Sequence, residues 1–145
     1  MQAKCTQESF VFQPLDRRAV VARFDGGTIT SDAGALLLRE VDRATGVIER
    51  FADCFRDYRA PDRVEHELKE LLAQRVFALA LGYEDLNDHD ELRKDPLLAT
   101  LVGKTDPTGK SRTQERDRDK PLAGKSTLNR LELTPADATT KSRYK

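Results

Sequence analysis

Apolar positions along the 145-residue chain change period several times, and each change marks an element. Phe10, Val11 and Phe12 form a short apolar run closed by Pro14, which has no N–H to give to a sheet. From Ala19 to Phe24 the pattern alternates, with Val20, Ala22 and Phe24 on one face and Val21 and Arg23 on the other, and this predicts a strand. Asp25-Gly26-Gly27 reads as a turn, with Thr28, Ile29 and Thr30 returning antiparallel in a hairpin or three-stranded meander. Ser31 or Asp32 then caps a helix that runs to about Ala44, buries Leu37, Leu38 and Val41, and stops at Gly46.

Helical periods dominate from Val47 onward. Val47 to Phe55 places Ile48, Phe51, Ala52 and Phe55 at offsets 0, 3, 4 and 7. Pro61-Asp62 opens the longest helix, about Asp62 to Leu81, with Val64, Leu68, Leu71, Leu72, Val76 and Leu79 on one stripe and Gly82 at its end. This helix is expected to organise the core. Asn87 to Leu92 and Pro96 to Leu101 read as two short helices, with Asp85 and Asn87 placed to cap the first. Residues 103–125 lose all apolar period and gain Gly, Pro, Lys, Arg and Asp, the composition of a flexible basic linker. Ser126 then caps a last helix through about Leu133, with Leu128 and Leu131 packed inward, before Thr134-Pro135.

The fold class is therefore α+β and mostly helical, a short N-terminal antiparallel hairpin packed on a helical bundle. Residues 1–9 are expected to be a disordered N-terminus and 10–102 the hairpin plus helical domain. Residues 103–125 are the linker, and 126–145 a short helix with a truncated C-terminal tail.

Charge sharpens this picture. Net charge is zero, but residues 103–145 hold 11 Lys or Arg against 6 Asp or Glu, and residues 1–102 hold 14 against 19. The basic end suits a phosphate backbone and the acidic body does not. No apolar run reaches the roughly 18 residues that span a bilayer, and the N-terminus has no signal core, so a cytoplasmic location is expected. Cys5 and Cys54 lack metal-ligand spacing and read as free thiols.

The remaining motifs are read as structural. GYEDLNDHDELRKDP is acid-rich, but an EF-hand register begun at Asp85 puts Asp90 and Pro96 where Gly and Glu are required. Its acids are read as caps and solvated charges. Asp25 and Asp32 are read as turn and cap residues, and His66 and His89 as packing or surface histidines. No phosphate loop, nucleophile elbow or dinucleotide fingerprint occurs. STLNRLEL, residues 126–133, has the form of a recognition helix, a capped start with Ser, Thr, Asn and Arg in its first turns. An amphipathic packing helix fits the same spacing.

Three blocks taken in order carry a resemblance: FDGGTITSDAGALLLREVD, LLAQRVFALALGYEDLNDHDELRKDPLL and STLNRLEL. Together they resemble the N-terminal region of DDE transposases of bacterial insertion sequences, in the branch called transposase DDE domain group 1. The resemblance covers about residues 20–145 and is weaker over 105–123. Leu122-Ala123-Gly124-Lys125-Ser126 stands where the family has its LAS-type segment.

The resemblance implies a full-length protein with an RNase H-like core, in which two Asp and one Glu hold two divalent metals, Mg²⁺, that activate a water or 3′-hydroxyl. The first of those acids lies on a strand downstream of the RY-containing stretch, here Arg143-Tyr144, so this chain is expected to stop before an absent or incomplete core. No catalytic residue and no metal ligand is carried over, and no cofactor is expected in this chain alone. The expected role is the DNA-engaging and assembly part of an insertion-sequence transposase, catalytically incomplete alone, with transposon ends as partner and a homo-oligomer as an option. No membrane or small-molecule partner is expected. Lys125, Asn129 and Arg130 are the candidates for DNA contact, with Lys110, Arg112, Arg116 and Arg118 as backbone contacts. The alternatives are a protein-interaction module or non-functional remnant, with Leu71 to Leu81 left uncovered, and, less favoured, an independent nuclease.

Overall fold

A computed structural model describes residues 9–25, 29–135 and 144. The expected disorder of residues 1–8, the turn residues Gly26 and Gly27, and most of the tail after Pro135 lie outside the described residues. The observed class agrees with expectation, a two-stranded antiparallel hairpin followed by six α-helices among the described residues.

The hairpin lies earlier than the glycines suggest. Strand β1 (Phe10–Leu15) pairs with β2 (Arg18–Ala22), with Phe10 opposite Ala22, Val11 opposite Val21 and Phe12 opposite Val20. The turn is Asp16-Arg17, with Asp16 at φ 53°, a left-handed conformation that Asp tolerates. Pro14 does not end β1. It sits in an irregularity between Phe12 and Leu15, where the missing N–H breaks the ladder without ending the strand. Ile29 and Thr30 are not in a strand, so no meander forms from them.

That irregularity sets the orientation of α1 (Ala35–Thr45). Arg39 is buried, and its Nη1 donates to the Gln13 carbonyl at 2.8 Å and its Nη2 to the Pro14 carbonyl at 3.3 Å. Glu40 in turn accepts the Gln13 N–H at 3.2 Å. With Arg39 drawn inward, Ala35 and Leu36 become the buried apolar positions. Leu37, Leu38 and Val41, expected to be buried, face solvent, with Leu37 63% and Val41 57% exposed. The expected cap is also displaced. Gly34 is the N-cap, and the Asp32 carboxylate instead accepts the Tyr83 hydroxyl at 2.9 Å. Gly46 does end the helix, at φ 65°.

α2 (Val47–Ala52) stops three residues short of Phe55, which still meets Phe51 edge to face at 5.2 Å. α3 (Leu68–Ala80) starts six residues later than the apolar stripe suggests. Pro61–Arg63 form a 3-10 turn and Val64 is extended. Glu67 and Glu70 then make a reciprocal capping box, which is the actual start signal. α4 (His89–Leu92) and α5 (Pro96–Val102) fall close to expectation, with Asp85 capping the 3-10 turn before α4 and Asp95 capping α5 through Leu97 N–H at 2.7 Å. α6 spans Lys125–Glu132.

Two apolar clusters lie on either side of α3. One joins Ala35, Leu36, Ile48, Ala73, Phe77, Leu98 and Leu101 with Leu122, and Phe12, Val20 and Ala22 of the hairpin pack on it. The other joins Leu71, Leu72, Ala123, Leu128, Leu131 and Tyr144. α3 is thus the organiser of the core, as expected, but it is not bare. Leu71, Leu72, Ala73, Phe77 and Ala78 are all buried. Leu79, expected on the buried stripe, is 45% exposed, and further exposed apolar surface lies on α1 and the hairpin, beside a groove of about 720 Å³ lined by residues 9–14, Leu37 and Glu40.

Residues 103–125 follow a defined path over the body. Asp106 accepts from the N–H and hydroxyl of both Thr108 and Ser111. These donors hold its carboxyl far below the usual carboxylate range. Gly109, at φ 69°, lies against the backbone of Lys120 and Pro121, where a Cβ would come within 2.7 Å of the Lys120 nitrogen. Leu122 and Ala123 then enter the two clusters side by side.

Candidate nucleic-acid interface

α6 separates its residues cleanly. At about 100° per residue, Lys125, Ser126, Asn129 and Arg130 fall within an arc of roughly 140°, and Leu128 and Leu131 point the other way. The former four are exposed and the two leucines are buried. The N-cap is Gly124, not Ser126. A side chain at 124 would meet Arg93 Nη1 at 3.0 Å and Asp90 Oδ1 at 3.3 Å.

The helix is fixed to α3 by buried polar contacts. Gln74 Nε2 donates to the Ala123 carbonyl at 2.8 Å, and the Ala123 N–H donates to Gln74 Oε1 at 3.0 Å. Gln74 Nε2 also lies 3.0 Å from His89 Nδ1. Both hydrogens of the amide are then used, and Nδ1 of His89 must accept. Burial first, and then Arg75, pushes the His89 imidazole down to about 4, so the ring is neutral at pH 7. At the far end of α6, Arg75 Nε donates to Glu132 at 2.7 Å, and its other nitrogens hold the Tyr83 and Glu84 carbonyls.

The seven candidate DNA residues divide by environment. Lys110, Arg118, Asn129 and Arg130 are exposed, and Arg116 is 78% exposed despite a contact to Asp117 at 3.3 Å. Arg112 is only 15% exposed and pairs with Glu65 at 2.6 Å. Lys125 pairs with Asp90 at 3.2 Å and also reaches Asn87. Arg93, which the sequence did not single out, bridges the two regions. Its Nη2 donates to Asp117, between Arg116 and Arg118, at 3.3 Å, and its Nη1 lies beside Gly124 at the start of α6. No sequence signal marks Arg93, because Asp117 lies 24 positions away.

Four of the acidic residues around this face have structural partners. Asp85 accepts from Asn87, Asp90 from Lys125, Asp95 from Leu97 and Asp117 from Arg93. Among the described residues no three His, Cys, Asp or Glu side chains are grouped to hold a metal ion. The described carboxylates therefore do not fit the two-metal centre that the resemblance implies for full-length members. His66 and His89 are both buried packing residues. Cys54 is free and exposed, and Cys5 lies outside the described residues. Among the described residues no helix is long and apolar enough to cross a membrane.

No characterised protein and no solved structure shows significant similarity to the chain. The family model for transposase DDE domain group 1 matches residues 12–145, beginning in β1 and running through every element that carries α6. The chain belongs to the transposase DDE domain group 1 family, and its function is related to transposition.

Proposed function

We propose that this chain is the DNA-engaging and assembly part of a transposase, that it meets transposon ends in the cytoplasm, and that it neither cuts nor joins DNA alone. The observation that carries DNA engagement is the outer face of α6, where Lys125, Ser126, Asn129 and Arg130 are exposed on a helix whose other side is locked to α3. Asn129 and Arg130 suit base edges, and the exposed Lys110, Arg116 and Arg118 suit phosphates. Catalytic incompleteness is supported by the commitment of Asp85, Asp90, Asp95 and Asp117 to caps and ion pairs. On this reading, Mg²⁺ serves the chemistry of the full-length family.

Fluorescence anisotropy with a terminal-repeat duplex and a scrambled duplex tests the proposal. Binding is expected to weaken steeply with salt, Arg118→Ala is expected to lower the salt slope by about 1, and Arg130→Ala is expected to relax the preference for the terminal repeat. Equal, negligible affinity for both duplexes at low salt rejects it, and so does Mg²⁺-dependent nicking by the pure chain.

A second reading, a protein-interaction module or a remnant without function, is favoured by the bare apolar face of Leu37 and Val41 beside Phe10 and Val11. Size-exclusion chromatography with light scattering separates the readings. A monodisperse monomer supports an independent DNA-engaging unit, and concentration-dependent association through this face supports the second.

A further inference from the structure

Residues 65–70, which lead into α3, are gripped by the segment that follows α5. Lys104 Nζ lies 2.5 Å from Glu70, and Arg112 Nη2 lies 2.6 Å from Glu65. His66 sits between these anchors and is buried. Arg93 is tied to the same segment through Asp117, and Arg59 is held in a fork by Asp57. Of the carboxylates of this region, Glu65, Glu70 and Asp57 each engage one cation, Asp117 engages both Arg93 and Arg116, and Glu67 is occupied in the α3 cap.

Those pairs leave donors unmet. Arg93 Nε, Arg112 Nε and Arg112 Nη2 are buried without a hydrogen-bond acceptor among the described residues. Arg112 Nη2 is close to Glu65, but off the axis of its N–H. An unmet buried donor on a charged group is costly, and two guanidinium groups with free edges match the several acceptor oxygens of a phosphate. The field at His66 points the same way. Burial is the largest influence on the ring, and Lys104, Arg112, Arg93 and Arg59 add positive charge that holds the imidazole down to about 3.

We infer that this cluster of cations takes one phosphate group, held by Arg93 and Arg112 against His66, with the half-exposed Glu65 carboxylate swinging out to admit it. The inference is independent of the α6 reading, because inorganic phosphate alone tests it. The full chain is titrated with inorganic phosphate, and with chloride at matched ionic strength, while the Nε–H signals of Arg93 and Arg112 and the ring signals of His66 are followed by NMR. Saturable shifts at all three residues with phosphate and not with chloride are expected, together with a rise in the His66 titration midpoint. Arg112→Gln is expected to weaken binding about tenfold. Should that variant unfold, Arg93→Lys and Arg112→Lys keep the charge, remove the fork, and are expected to weaken binding similarly.

A DNA duplex added in a second arm identifies the source. Displacement of phosphate by the duplex assigns the cation cluster to a backbone phosphate, and no displacement assigns it to the free anion. Asn129→Ala with Arg130→Ala, which removes the α6 face, is expected to leave the inorganic phosphate shifts intact. The absence of phosphate-specific shifts, or equal shifts with chloride, overturns the inference and leaves the guanidinium groups to water.

Discussion

Gln74 and Ala123 are 49 positions apart and exchange two buried hydrogen bonds, amide to backbone, as two strands do. Replacing Gln74 by Ala strands the N–H and carbonyl of Ala123 and frees Nδ1 of His89. Each buried orphan costs about 1–3 kcal/mol, so a loss of about 3 kcal/mol is expected for Gln74→Ala. Equilibrium urea unfolding measures it, and a loss below about 1 kcal/mol argues that water or another side chain replaces the amide.

Acid should weaken the fold through its histidines. His89 is pushed down to about 4 and His66 to about 3, both mainly by burial. In the unfolded chain both titrate near 6.5. Between these values the unfolded state binds more protons, so stability is full above about pH 6.5, falls from there toward pH 4 for His89 and pH 3 for His66, and loses nothing more through each ring below its own value. Urea midpoints measured from pH 7.5 to 4 should decline, and His89→Gln should make that decline about half as steep throughout. A midpoint that does not move with pH contradicts the burial of both rings.

Gly109 should resist substitution. Its φ of 69° and the 2.7 Å approach of a Cβ to the Lys120 nitrogen both oppose a side chain. Gly109→Ala is expected to cost about 1–3 kcal/mol or to release the segment. Limited trypsin digestion reads the second outcome as faster cleavage at Lys110, Arg112, Arg116 and Arg118.

The two sides of α1 should behave oppositely. Leu36→Ala, on the buried side, is expected to cost about 2–4 kcal/mol. Leu37→Ser and Val41→Ser, on the exposed side, are expected to change stability by no more than about 0.5 kcal/mol. If the second pair proves as costly as the first, that face is covered in solution, and light scattering of the variants shows whether a second copy covers it.

The starts of the two short helices were legible, but the equally local capping box of Glu67 and Glu70 that starts α3 was missed. Asp95 before Pro96, Asp85 before Leu86 and the glycines at 46, 82 and 103 place ends by chemistry within a few residues. The face of α1 was not legible, because it depends on Arg39 reaching carbonyls freed 25 and 26 positions earlier by Pro14. The true hairpin turn was hidden for a related reason. Asp16-Arg17 is a weaker local signal than Asp25-Gly26-Gly27, and pairing of Val11 with Val21 decided between them. At the candidate interface, the leucines of α6 revealed which side faces outward. The partners of Lys125 and Arg112 were not readable, since Asp90 and Glu65 are distant in sequence and adjacent only in space.

The side-by-side entry of Leu122 and Ala123 into separate clusters has a consequence for how the molecule is made. Until that dipeptide leaves the ribosome, α3 waits with a vacant seat on each flank and its glutamine amide unanswered. The first cluster can then close, while the second still awaits Leu128, Leu131 and Tyr144, and both closures are long-range. A strain applied to α6 by anything it grips would be felt at the same stitch, and through it by the hairpin on the opposite side of the protein.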